Sequence, residues 1–429
     1  MQRVVCRRGL SLVASAAAFL VACVVPLAPN AQANNAVCSK VVVGAVLSLT
    51  SEHSAGGIHL RNGYEYARKR LDEAGGVPVR GRCHSLRIIY YDDESSAGRA
   101  AQLTERLIVR DRVRFLLGPY GLAKTAAVAN VAARHHIPLI SVFGLPQRLE
   151  AGIDPKFFFP LVRASSGVLA AVPDYVSRLA RELARAPEDI RLALLFDTTR
   201  VDEEARAALR ARARKHGMEI IVDQAFGRAS GDLVQGLAKV KSERPEVLMI
   251  DAHPGAANRA LKQLREMQLD LPVLAMADCA DARLIARNKE KAENVLCISS
   301  WRQPVAAHDG LFGSAESFTR DYVAHNEAQG PAKKLEAVAA SAAHAAVAVR
   351  VLAAAMVRAN SLDHFQVRDA LAGIDLETII GQVSFAKPSA VMHGKPVFRQ
   401  VMDGKYVTVW PEARATAAYR WPGTSPRPF

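Results

Sequence analysis

Val113-Arg114-Phe115-Leu116-Leu117, then Gly118-Pro119-Tyr120-Gly121, then Lys124 to His135, then Ile137-Pro138-Leu139-Ile140-Ser141-Val142-Phe143-Gly144: the reading of this stretch decides the fold. An aliphatic run, a glycine turn, a segment with helical apolar spacing and a second short run are the sequence form of a β-α-β unit. The glycine turn therefore falls at the carboxyl end of a strand. In an open parallel sheet that edge gathers loop amides and helix N-termini, and ligands bind there. Val113 to Leu149 accordingly reads as the floor of a binding site.

The same alternation continues on both sides. Before it, Lys40–Leu47 is a strand, Leu49–Gly57 a loop rich in Ser, Thr and Gly, and Ile58–Ala74 a helix closed by Gly75-Gly76. Leu86–Tyr91 is the next strand, capped by Asp92-Asp93-Glu94-Ser95-Ser96 and followed by a helix over Ala97–Arg110. After it, Phe157–Val162 is extended and aromatic, and Val168–Arg185 is helical. A second series follows, with strands at Arg191–Phe196, Glu219–Val222, Val247–Ile250, Pro272–Met276 and Val295–Trp301. Its helices fall at Asp202–His216, Leu233–Lys241 and Ala256–Met267. Single helices between short strands predict an α/β protein with doubly wound, mostly parallel sheets. At 429 residues the chain needs two such lobes, because one core does not grow that large.

The rest is mixed. Glu316–Ala328 and Glu336–Asn360 are helices, and the second is rich enough in Ala and Val to raise a membrane span. His344 and Arg350 interrupt it and alanine is only weakly apolar, so a buried core helix is expected. Val367–Ala372 is a short helix, Ile380–Phe385 a strand and Pro396–Val409 a hairpin, with a proline-rich tail after Trp410.

The amino end reads as a secretory signal. Arg3, Arg7 and Arg8 precede an apolar stretch from Leu10 to Leu27, and Ala31-Gln32-Ala33 is a small-x-small cleavage site. Two variants compete with cleavage after Ala33: Leu20-Val21-Ala22-Cys23 has the form of a lipobox, which would lipidate Cys23, and Arg7-Arg8 that of a twin-arginine signal. Losing residues 1–33 removes three arginines and no acid, which lowers the formal charge from +14 to +11. That balance does not indicate a nucleic-acid partner, because an exported chain meets none and the basic residues are interspersed with acids as on solvated helix faces.

Cys38, Cys83, Cys279 and Cys297 remain after cleavage, an even count for an oxidising compartment. Cys38 and Cys83 each precede an apolar run by a few residues; if those runs are adjacent parallel strands, the sulfurs share one end of the sheet and form a disulfide. For Cys279 and Cys297 a disulfide and two buried thiols are both open. No catalytic signature of the G-x-S-x-G, H-E-x-x-H, Walker or G-x-G-x-x-G type occurs, and His135-His136 lies at a helix end. No enzymatic activity, cofactor or metal is expected.

Several segments together resemble the periplasmic substrate-binding proteins of the leucine/isoleucine/valine type, the soluble receptors of ABC importers. They are Gly44 to Thr50, Asn62 to Ala67 with Gly75-Gly76, Tyr91 to Ser95, Gly118 to Gly121 and Ile137 to Ile140. Further on come Lys239 to Met249, Val367 to Leu371, Thr378 with Gly381 to Phe385, and Gly404-Lys405 before Val409-Trp410-Pro411. The resemblance implies two Rossmann-like lobes joined by three hinge crossings, with a ligand cleft between them. The crossings fall near Val162, Pro304 and Gly381-Gln382. The N-terminal lobe would then hold 38–162 and 305–382, the C-terminal lobe 163–304 and 383–415, and 416–429 would be a tail. A periplasmic monomer delivering an amino acid of branched-chain type, or a related small organic solute, to an inner-membrane ABC permease is implied. An extracytoplasmic ligand-sensing module is the alternative.

In such receptors amides and hydroxyls of the first lobe hold the ligand carboxylate, and groups of the second lobe meet the ammonium. The matching positions are Thr50, His53, Tyr120, Gly121, Leu122, Phe143, Gly144 and Leu145 in the first lobe, and Thr198, His253 and Asp278 in the second. Glu52 and His53 lie where the cleft mouth closes. Leu122 stands where the family usually has a serine, and Phe143-Gly144-Leu145 replace small and hydroxyl residues. Either Leu122 and Phe143 turn into the core while neighbouring amides bind a carboxylate, or they line an apolar pocket for an aromatic or aliphatic acid. Tyr120 either stacks on a ring or packs under its loop. Asp251 or Asp278 either meets an ammonium or caps a helix.

Overall fold

The structure is a computed structural model and describes residues 38–145, 152–162, 168–197, 203–227, 230–252, 254–277, 279, 282–299, 308–328, 340–386 and 396–422. The expected signal segment, with Cys23, lies outside them.

The first sheet is built around β1 (Ser39–Leu47), whose inner residues are buried almost without a break, as a parallel strand covered on both faces requires. With β2 (Val77–Val79), β3 (Arg82–Asp92), β4 (Leu116–Leu117), β5 (Leu139–Ser141) and β6 (Phe158–Pro160) it forms a six-stranded sheet of order β2-β3-β1-β4-β5-β6. All neighbours are parallel except β2 against β3. Helices α1 (Ser54–Glu73), α2 (Ala97–Val109) and α3 (Leu122–Arg134) make the crossings. The chain runs from β1 outward to β3 and then returns past β1 to β4. The strand order therefore reverses between β1 and β4, and a crevice opens at their carboxyl ends.

The second sheet repeats the plan. It contains β7 (Arg191–Asp197), β8 (Glu219–Phe226), β9 (Val247–Asp251), β10 (Val273–Ala277) and β11 (Val295–Ser299), parallel throughout. Helices α4 (Val172–Glu182), α5 (Glu203–Lys215), α6 (Ser230–Glu243), α7 (Pro254–Glu266) and α8 (Ala282–Asn288) accompany these strands. Two small antiparallel pairs follow, β12 (His308–Asp309) with β13 (Gly313–Ser314), and β14 (Asp375–Thr378) with β15 (Gly381–Ser384). A final hairpin, β16 (Val397–Met402) and β17 (Lys405–Trp410), adds to β11 and completes a seven-stranded sheet of order β17-β16-β11-β10-β9-β7-β8.

Between the two small pairs lie α9 (Ala315–Glu327), α10 (Ala340–Ala359) and α11 (His364–Ala372). Helix α10 has the length and apolarity of a membrane span, yet most of it is buried in the core of the first sheet, as its alanine content predicts. It crosses α1 closely enough that a Cβ on Gly63 would sit 2.2 Å from the Ala342 carbonyl oxygen. Small residues on both helices allow that approach.

Several boundaries differ from the sequence reading, and those that bear on the site and the cores are these. Helix α1 starts at Ser54 instead of Ile58, which brings Gly56 and Gly57 into its first turn. Helix α3 starts at Leu122, two residues early. Val383 and Phe385 pack in the core of the first sheet. Finally, the first part of the expected tail is seated on the second sheet. Tyr419 is buried with its hydroxyl donating to the Pro272 carbonyl (2.7 Å), and Arg420 exchanges backbone bonds with the Gln400 side chain (2.7 and 2.6 Å).

Cys38 and Cys83 form a disulfide across β1 and β3, with Cα atoms 4.9 Å apart. Of the two readings for the other cysteines, the structure has the disulfide: Cys279, just past β10, is joined to Cys297 in β11.

Candidate functional site

Four loops meet at the carboxyl ends of β1, β3, β4 and β5. The first is held by two adjacent carboxylates. Asp92 accepts from the amides of Leu49 (2.9 Å), Thr50 (3.3 Å) and Glu94 (2.9 Å), and from the Thr50 hydroxyl (2.7 Å). Burial works to raise its pKa, but the Thr50 hydroxyl and these amides outweigh it and hold the carboxyl below the usual aspartate range. Asp93, fully buried, accepts from the Ser48 hydroxyl and the Ser95 amide (both 2.7 Å). Here burial wins and the pKa is raised, although Ser48, Ser95 and the charge of Lys124 oppose it.

The glycine turn is built from outside its own sequence. Tyr64, fully buried in α1, donates its hydroxyl to the Gly118 carbonyl (2.8 Å). Gly118 lies so close to β5 that a Cβ there would meet Ser141 at 2.8 Å. The Ser141 hydroxyl donates to the Phe143 carbonyl (2.7 Å), which folds the next loop back on itself. The Tyr120 ring fills the space under the turn, edge-on to Phe143 at 5.3 Å. A Cβ on Gly56 would enter that ring at 2.3 Å, and one on Gly57 would strike the Ser48 carbonyl at 1.9 Å. The glycine pair thus lets α1 begin against the site.

Gly121 is the N-cap of α3, with φ 93° and ψ 152°, a backbone conformation that favours glycine. No side chain caps the helix and no acid lies in its first turn. The amides of Leu122, Ala123 and Lys124 are first-turn donors, which a helix cannot satisfy internally, and they give this end a positive pole. Beneath them is Lys124, 3% exposed, with its ammonium 2.9 Å from His53 Nδ1. An ammonium only donates, so Nδ1 accepts and the imidazole proton sits on Nε2.

The structure brings the first-lobe candidates together, but in different roles. Thr50 has its hydroxyl and amide on Asp92 and serves the loop clamp. His53 is buried against Lys124. The Tyr120 ring is 6% exposed and lies under its loop against Phe143. Leu145 is buried, Gly144 is buried, and Phe143 is partly buried on the core around α1 and α10. Leu122 is half-buried and belongs to neither core of this sheet, so Leu122 and Phe143 do not share one fate. Glu52 is exposed on the first loop. Thr198, His253 and Asp278, as well as Trp301, lie outside the described residues. They follow β7, β9, β10 and β11, and the last residues of β7 and β9, Asp197 and Asp251, are buried carboxylates at the second reversal of strand order.

The sequence reading missed Lys124 as a site residue, and assigned no ligand-loop role to Asp92 and Asp93. The signal for Lys124 was a single charge among Leu122, Ala123, Ala126, Ala127 and Val128.

A chain with two doubly wound sheets and binding loops at a reversal of strand order is built as a ligand receptor of the two-lobed class. The family model for periplasmic binding proteins matches residues 40–405, and the chain belongs to that family. Solved structures agree on the fold. The branched-chain amino acid transporter substrate-binding protein LivJ of Streptococcus pneumoniae, in complex with isoleucine, is 21% identical with a TM-score of 0.69. That match covers 86% of this chain and 98% of LivJ. The leucine-binding protein LivK of Thermotoga maritima is 19% identical, with a TM-score of 0.70 over 86% of this chain and 97% of LivK. A solute-binding protein of an ABC transporter from R. palustris, in complex with benzoate, is 16% identical, with a TM-score of 0.70 over 89% and 98%.

Proposed function

We propose that the chain is the exported solute receptor of an ABC importer and that its ligand is a small organic acid held by its carboxylate at the start of α3. The observation that carries this reading is the α3 N-terminus itself. It is uncapped, free of acids in its first turn, backed by a buried lysine, and set at the reversal of strand order. The likeness to receptors solved with isoleucine and with benzoate supports the same class, since both ligands carry a carboxylate. Capture would proceed by closure of two lobes, one around each sheet, with a membrane permease as the partner. The signal-like segment 1–33 and the two disulfides support export to the periplasm.

Two ligand types fit, a branched-chain amino acid and an acid with an aromatic or aliphatic body. Leu122, where the family usually has a serine, favours the apolar body. Thermal unfolding of the chain from residue 34 onward tests the reading with isoleucine, leucine, benzoate and aliphatic acids. A ligand at about 100 times its Kd adds about 2.7 kcal/mol of apparent stability. If no carboxylate-bearing solute raises the midpoint, the reading is wrong.

A further inference from the structure

Among the described residues Lys124 is the one lysine or arginine whose side chain is buried. Its neighbours on the same helix face, Val128, Val131 and Ala132, pack in an apolar core. Taking an ammonium out of water is costly and persists where something is gained from the charge. The surroundings hold that charge in place. His53 accepts from the ammonium at 2.9 Å, and the field of the lysine reaches Asp93. On the other side is the loop surface. The ammonium nitrogen lies 3.5 Å from where a Cβ of Gly121 would be, while Gly121 and Leu122 are half-buried and Ala123 is exposed. The ammonium thus lies beside the Gly121 cap of α3, next to its first-turn amides.

We infer that Lys124 is the residue that makes this receptor select an anion: its charge acts through the cradle on the ligand carboxylate, with His53 positioning the ammonium. The inference rests on the carboxylate reading above and extends it, since a buried full charge beside the helix start adds to the preference for an anion that the first-turn amides already have. A dry charge is barely screened, so the selection should survive salt.

The test compares isoleucine with isoleucinamide and benzoate with benzamide by calorimetry. Wild-type protein should prefer at least one acid to its amide by tenfold or more, and should keep that preference in about 0.5 M salt. Lys124→Met and Lys124→Gln should lower the acid-over-amide ratio by about tenfold or more. The glutamine variant retains a donor for His53 and so protects the fold. Lys124→Arg should keep most of the ratio. A residue with only a packing role would weaken acid and amide alike and leave the ratio unchanged. If wild type binds the acids and the neutral variants keep its ratio, or if the preference vanishes in salt, the role of Lys124 is refuted while the carboxylate reading stands. If wild type binds none of the acids, or prefers the amides, the carboxylate reading itself fails.

Discussion

Asp92 and Asp93 are neighbours in sequence and opposites in circumstance. Asp92 is held ionised by four donors at the loop surface, and Asp93 is dehydrated beneath it. Their linkage to pH has opposite signs. Asp92, with a lowered pKa, contributes stability that is present above the ordinary aspartate value of 3.8 and is lost as pH falls toward the folded value. Asp93, with a raised pKa, binds its proton more tightly in the fold than in the unfolded chain. Its contribution therefore declines as pH rises from 3.8 through the raised value. Asp93→Asn, which retains an acceptor for Ser48 and Ser95, should flatten that decline in urea unfolding followed across pH. Asp92→Ala removes the clamp on Leu49 and Thr50 and should cost about 1–2 kcal/mol, measured by the same unfolding at neutral pH. A variant as stable as wild type would show that the loop holds its shape without the clamp. The two roles were not legible in the sequence, because adjacent aspartates after a strand read alike until the partners of each are known.

Elements were legible where burial is uniform. A parallel strand covered on both faces has to be apolar throughout, so β1, β7, β9 and β10 declare themselves as runs. The start of α1 did not, because Gly56 and Gly57 look like loop residues and are in fact required by close approach to Tyr120 and Ser48. The start of α3 was misplaced for a related reason, since its N-cap is glycine and its first residue is the unexpected Leu122. Helices α1 and α10 provide a test of close packing. Gly63→Ala places a methyl group 2.2 Å from the Ala342 carbonyl oxygen and 2.8 Å from the Ala345 Cβ, and neither neighbour is a flexible side-chain end. The helices must separate, at a cost of about 1–3 kcal/mol, seen as a lower thermal midpoint. An unchanged midpoint would mean that the pair is not held at this distance.

At the scale of the whole molecule, each sheet has its own pair of cores and its own disulfide. That duplication was readable as two β-α-β series. What could not be read is that Val383 and Phe385 pack with the first sheet, because they are as apolar as a second-sheet strand would be. The Cys38–Cys83 bridge closes a loop with a sequence separation of 45 residues, holding β1 to β3 at the end away from the site. Replacing both cysteines by serine should cost roughly 2–4 kcal/mol of stability. Ligand affinity per folded molecule should stay unchanged if the ligand binds at the proposed site, which lies at the opposite end of these strands. Loss of affinity in a still-folded variant would contradict that placement.

The seating of Tyr419 has a consequence for how the chain is handled. The segment after Trp410 reads as a proline-rich tail, yet Tyr419 and the half-buried Trp421 cover the side of the second sheet where Tyr175 and Phe398 lie. A chain shortened to end at Ala415 would present these aromatic rings to water. It should aggregate or bind hydrophobic dyes, whereas one ending after Pro422 should remain dispersed.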